Sequence, residues 1–177
     1  MNDSENFSDR CTPTSDCWPT ESEWDLLDQL LGGGKLLRDV APYLAVCRDP
    51  TKIEECGLRF ANYVSENGYR ETVPGNMMQP VWECDISKGE CCGPEDQICH
   101  AGNIGSYAVR VEEPQDVAKA VAWACRHNVP LSVKTTGHDW HGKSTNKDTL
   151  NIWMYNMKKV TYHEAWSSDT CESTGSA

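Results

Sequence analysis

Residues 134 to 145, KTTGHDWHGKST, bring two histidines, two glycines, two lysines and four hydroxyl side chains into twelve positions. Three chemistries compete for such a stretch. Gly137 lets the backbone approach a ligand closely, and successive N–H groups around a glycine form a nest for an anion. Thr135, Thr136, Ser144 and Thr145 add hydroxyl donors. His138 and His141 are three apart. A pair with no adjacent Cys or Glu pair falls short of the four ligands that a structural zinc site needs. An imidazole on a fixed loop is also a nucleophile or a hydrogen-bonding group. A plain surface loop is the remaining alternative, with His141 facing solvent.

The elements around the loop decide between these readings. Tyr107-Ala-Val-Arg-Val111 alternates as a strand does, and Pro114 suits the first turn of a helix. Residues 114 to 127 (PQDVAKAVAWACRH) place Val117, Val121 and Cys125 at i, i+4 and i+8, flanked by Ala118, Ala120 and Ala124. That spacing predicts a helix lying flat on a sheet through a small-residue face, with Cys125 a buried thiol. Pro130 to Lys134 reads as a second strand, Thr149 to Trp153 as a third and Lys159 to Tyr162 as a fourth. Strand, helix, strand predicts a parallel βαβ unit. The twelve-residue loop then begins at the carboxyl end of a strand, where open α/β sheets bind ligands.

Upstream, Thr20-Glu21-Ser22-Glu23 has the form of a capping box, and Trp24, Leu27, Leu30 and Leu31 follow at helical spacing. Gly32-Gly33-Gly34 closes this helix. The GGGK at 32–35 is therefore no P-loop, which needs its glycines to follow a strand and open a helix. Residues 36–104 are rich in proline, glycine and cysteine and read as an irregular wrap. Residues 1–10 read as disordered, so the expected organisation is 1–10 disordered, 11–102 a cysteine-rich wrap with one helix near 20–31, and 103–177 the ligand-binding part.

The chain has 177 residues and a formal net charge of -11, without the basic patch of a nucleic-acid binder. No apolar run approaches the ~20 residues that cross a bilayer. Nucleic acid and membrane are thus excluded as expected partners. Ten cysteines, eight of them before residue 100, fit an oxidising compartment. Two short sequons, at Asn2 and Asn6, fit secretion, although MNDSENFSDR shows no signal peptide. Expected disulfides are Cys11–Cys17 and Cys47–Cys56, with further pairs among Cys84, Cys91, Cys92 and Cys99. Trp18, Trp24, Trp123, Trp140 and Trp153 are expected to pack.

The run from Gly102 to Val160 resembles the first part of the FAD-binding domain of the vanillyl-alcohol-oxidase/PCMH flavoproteins. Within them it is most similar to the berberine-bridge-like and fungal FAD-linked oxidases. The resemblance rests on Pro114-Gln-Asp116-Val117 opening the helix and on Gly137-His138-Asp139-Trp140-His141-Gly142-Lys143-Ser144 after the strand. Cys17-Trp18-Pro19 and Trp24 resemble the fungal subgroup's lead-in. The resemblance implies an α+β fold: the first, βαβ-containing subdomain of a PCMH-type FAD-binding domain, truncated, behind a disulfide-rich irregular segment. It also implies a covalent bond between His138 and the flavin 8α carbon. Lys134, Thr135, Thr136, Gly137, Asp139, Gly142 and Ser144 would line the FAD.

The implied activity is oxidation of a small organic or secondary-metabolite substrate by hydride transfer to flavin, with O2 as acceptor, in the secretory pathway. The resemblance also implies that the remaining FAD domain, the substrate domain and the catalytic base lie beyond residue 177, after the polar ending SSDTCESTGSA. A small secreted, disulfide-rich binding or structural protein without cofactor is the alternative from another class.

Overall fold

A computed structural model describes residues 10–38, 40–65, 71–78, 80–83 and 102–165. Helix α1 spans Glu21–Leu30. The Glu23 carboxylate reaches back to accept the Thr20 N–H at 2.7 Å and its hydroxyl at 2.9 Å. After α1 the three glycines take positive φ of 100°, 84° and 72°. This turn folds the following N–H groups onto Asp28, whose carboxylate accepts from Gly34, Lys35 and Leu36 at 2.8 to 2.9 Å. Burial pushes the Asp28 carboxyl up, but those donors and Arg38 outweigh it and hold it below its ordinary value. The glycine nest therefore already holds an anion, supplied by the chain itself.

Strand β1, Leu36–Leu37, follows directly. It pairs antiparallel with β2, Tyr107–Arg110, at Leu36↔Val109 and Leu37↔Ala108. Residues 36–104 are less irregular than the sequence suggests. Two 3₁₀ turns, Tyr43–Arg48 and Pro50–Lys52, lead into helix α2, Ile53–Ser65. Asp49 caps this entrance by accepting from the Thr51 N–H at 2.9 Å. This helix escapes sequence reading because Ile53 and Leu58 point outward, 72% and 68% exposed, so its apolar residues do not mark a buried stripe. Both expected disulfides form, Cys11–Cys17 and Cys47–Cys56. Cys84, Cys91, Cys92 and Cys99 lie outside the described residues, as do both sequons.

Helix α3, Pro114–Arg126, connects β2 to β3, Leu131–Lys134; β4, Leu150–Trp153, follows. The sheet order is β1-β2-β4-β3. Strands β2 and β3 are both parallel to β4, which lies between them, so the expected parallel βαβ unit is present with one strand inserted. Lys159 to Tyr162 is not a strand; Val160 and Tyr162 are 91% and 84% exposed, with no neighbour to pair with among the described residues.

The sheet has two unlike faces, set by the two-residue period of strands. Val109, Leu150 and Ile152 point toward the helices. They build the core there with Trp24, Leu27, Leu31, Ala120, Trp123 and Ala124. Its centre is aromatic: Trp24 lies 4.3 Å from Tyr107 and 4.5 Å from Trp123, ring centroid to centroid. Trp18 and Trp153 also pack, whereas Trp140 is 64% exposed.

The buried stripe of α3 is Asp116, Ala120, Trp123 and Ala124; Ala120 and Ala124 of the expected small-residue face are buried, but the stripe is shifted by about one residue away from Val121 and Cys125. Val121 and Cys125 are exposed, and Cys125 is a free thiol on the surface, not a buried one. The reason is Trp123: packing its tilted ring against Trp24 turns this face of the helix toward α1. Asp116 is fully buried beneath the α3 start. Its carboxylate accepts from Lys35 Nζ at 2.7 Å and the Glu112 N–H at 3.0 Å, which fastens β1 to α3.

Candidate functional site: the loop after strand β3

The other sheet face is polar. On β3, Ser132 and Lys134 are buried while Leu131 and Val133 are exposed, the reverse of a strand facing an apolar core. Asn151 of β4 shares this polar face. Its Nδ2 donates to Ser132 Oγ at 2.8 Å and to the Ser144 carbonyl at 3.3 Å. Ser132 also bonds Thr149 across the strand gap at 2.8 Å. Over this floor the chain from Thr135 to Thr149 folds back. Thr145 anchors its far end by donating to the Asn103 carbonyl at 2.8 Å.

Lys134 is buried in the floor, and its ammonium donates to the carbonyl of Val73. Burial pulls its pKa from 10.5 down to about 7, against the opposing pull of Glu83 and Glu71. Gly137 follows at φ 83°. A Cβ there would stand 2.8 Å from Lys134 Cε and 3.1 Å from the Asn76 carbonyl, so only glycine fits. Its own carbonyl accepts the Met78 N–H at 2.8 Å. Gly142, at φ 73°, is pressed against the Trp82 ring, where a Cβ would come within 2.7 Å. The buried Glu83 accepts the Met77 N–H at 2.6 Å. Segment 71–83 is thus the wall against which the loop is moulded.

Asp139 holds the loop from within. Its carboxylate accepts the His141 N–H at 3.1 Å and the Lys143 N–H. These bonds, led by that from His141, lower its carboxyl below the ordinary value. His141 itself is exposed, its ring 3.8 Å from Asp139. Thr135 is exposed, whereas Thr136 and Ser144 are half-buried. His138 is half-exposed, and its Nε2 lies 3.0 Å from Glu71 Oε1. Its Nδ1 has no partner among the described residues.

The eight expected site residues thus divide. His138, Thr135 and Thr136 border the open side of the loop, whereas Lys134, Gly137, Asp139, Gly142 and Ser144 shape it from below or within. Glu71, Asn76, Glu83 and Asn151 escaped sequence reasoning. Asn151 and Ser132, polar residues within short apolar strands, carried a readable signal. Glu71, far away in an apparently irregular stretch, carried none.

The residues fit a polar dinucleotide such as FAD. Three buried polar atoms around the loop, Asn76 Nδ2, Trp82 Nε1 and Asn151 Oδ1, lack partners among the described residues. Such capacity is normally satisfied by a ligand or ordered water. The N–H groups of Thr136, Gly137 and His138 likewise meet no acceptor among the described residues, which leaves three successive donors around a positive φ.

The parallel sheet, its helix and the glycine–histidine loop at a strand end are arranged as in ligand-binding α/β domains. Residues 105–169 match the family described as FAD binding domain. In sequence and structure the chain is similar to fungal FAD-linked oxidoreductases and to VAO-type flavoproteins. It is 35% identical over 156 residues to an uncharacterized FAD-linked oxidoreductase of Arthroderma benhamiae, covering 86% of this chain and 26% of that protein. It is 32% identical over 162 residues to the FAD-linked oxidoreductase penH of Penicillium thymicola, covering 89% of this chain and 28% of the relative. Among solved structures, the VAO-type flavoprotein MtVAO713 of Myceliophthora thermophila superposes with a TM-score of 0.74 at 27% identity, over 90% of this chain and 28% of that one. The chain thus spans little more than a quarter of the length of the relatives it matches.

Proposed function

We propose that the chain carries the flavin-anchoring part of an FAD-dependent oxidase acting on small organic or secondary-metabolite substrates, with His138 bonded covalently to the flavin. The observation that carries this reading is His138 itself. It stands at the carboxyl end of β3, half-exposed, with one ring nitrogen tied and the other without a partner among the described residues. The fungal relatives named FAD-linked oxidoreductases support the reaction class. When bound, FAD would supply hydride acceptance from a C–H or alcohol carbon, with O2 as the final acceptor.

The N–H groups of Thr136, Gly137 and His138 would hold the anionic part of the cofactor, with the Thr135 and Thr136 hydroxyls beside them. Asp139 and Gly142 keep the loop in the shape that presents those donors. Lys134 supports the loop through Val73. The disulfides Cys11–Cys17 and Cys47–Cys56 support a secretory location.

Acid denaturation of the full-length protein containing these residues tests the proposal. Flavin absorbance is expected to stay with the precipitated polypeptide and to map to the peptide bearing His138. His138→Ala is expected to leave FAD dissociable. Flavin released quantitatively from the unsubstituted protein would refute covalent attachment.

A further inference from the structure

Two bonds bracket one contact in the wall of the loop. Lys134 fastens to Val73, two residues after Glu71. Met78 fastens to Gly137, one residue before His138. Between these points Glu71 Oε1 meets His138 Nε2 at 3.0 Å. The nearer carboxylate in sequence, Asp139, is turned onto its own loop amides and toward His141. The other charged groups facing Glu71 are Lys134 and, behind it, Glu83.

We propose that Glu71 is the positioning residue for flavin attachment: its carboxylate accepts the Nε2–H of His138, fixes that tautomer and leaves the Nδ1 lone pair as the bond-forming one. This rests on the covalent reading above and adds a residue outside the glycine–histidine motif. A neutral imidazole carries its proton on one nitrogen only, and the hydrogen bond made by that nitrogen decides which.

Attachment replaces one C–H bond of the flavin 8α-methyl group with a bond to Nδ1. The methyl proton would leave to solvent, and O2 would take up the two electrons of the broken C–H bond and leave as H2O2. The imidazole becomes cationic as its lone pair is used. Glu71 stabilises that charge through the Nε2–H bond, as the carboxylate behind an imidazole does in other nucleophilic sites, and the Nε2 proton then passes to solvent. The contact is partly shielded: the side chains of His138 and Glu71 are 40% and 28% exposed.

The test uses the full-length protein, produced without flavin and reconstituted with FAD. Growth of the adduct is followed by mass spectrometry of the His138 peptide, and NMR of the isolated histidyl-flavin peptide identifies the bonded nitrogen. The expected linkage is through Nδ1. Glu71→Gln is expected to slow attachment, measured at saturating FAD, by about tenfold or more, the scale of losing a charged hydrogen-bond partner. Glu71→Asp is expected to recover most of the rate, which a merely structural role would not predict. Linkage through Nε2, or attachment at the unsubstituted rate in Glu71→Gln, overturns the assignment while the covalent reading stands. Purely dissociable FAD in the unsubstituted protein overturns both. Were the glutamine variant not to fold, the bonded nitrogen in the unsubstituted protein still decides.

Discussion

Lys134 makes stability rise with pH where most proteins level off. Its ammonium is buried, and its pKa lies at about 7 instead of 10.5. Below pH 7 the lysine is charged in both the folded and the unfolded chain, and the folded chain bears the full desolvation cost. Between about 7 and 10.5 the unfolded chain holds a proton that the folded chain has released, so stability climbs with pH. At about 1.4 kcal/mol per pH unit the depression corresponds to roughly 5 kcal/mol. Lys134→Met keeps the length and apolar stem of the side chain and removes the charge. It is expected to lose this climb. Relative to the native sequence it gains stability most below pH 7, less the ~1 kcal/mol of the bond to Val73, with the two converging near pH 10. Urea unfolding of both proteins from pH 6 to pH 10, at fixed flavin content, measures the difference. A pH-independent gap between them would refute the placement of a desolvated ammonium in the floor of the loop.

Two further perturbations address the supports of the site. Gly142→Ala must put a methyl group into the Trp82 ring at a positive φ. It is expected to cost about 1–3 kcal/mol, read by thermal unfolding, and to alter tryptophan fluorescence. Asp116→Asn weakens the bond to Lys35. Burial raises the Asp116 carboxyl, but Lys35 and the Glu112 and Glu113 N–H groups outweigh it and hold it below 3.8. The stability it contributes is therefore present above pH 3.8 and lost as pH falls through the lower folded value. The variant is expected to be weaker by about 1–3 kcal/mol at pH 7 and to lack that acid limb when unfolding is followed from pH 5 to pH 2.

Much of the candidate site was legible in the residues because its signals are local. The capping box at Thr20, Pro114 at a helix start, the strand periods and the glycine–histidine loop each lie within a dozen positions. What the sequence hid is what distant residues decide. The rotation of α3 follows from one packing partner of Trp123, the Trp24 ring across the core. Helix α2 turns apolar residues outward, and β1 is two residues held in place by Asp28. The wall of the loop is contributed by residues 71–83, whose polar atoms matter only once the sheet brings them close. Val73 and Lys134, for example, are separated by 61 positions.

That separation has a kinetic meaning. A loop closed over some sixty residues forms only after the chain between its ends has lost much of its freedom, so such contacts come late in folding. During synthesis residues 71–83 leave the ribosome first and have nothing to mould until β3 and β4 have followed. The histidine loop acquires its shape only when early and late parts of the chain meet. A cofactor that needs that shape can be captured only by a chain that has already completed this long-range step, which makes flavin uptake a report on finished folding.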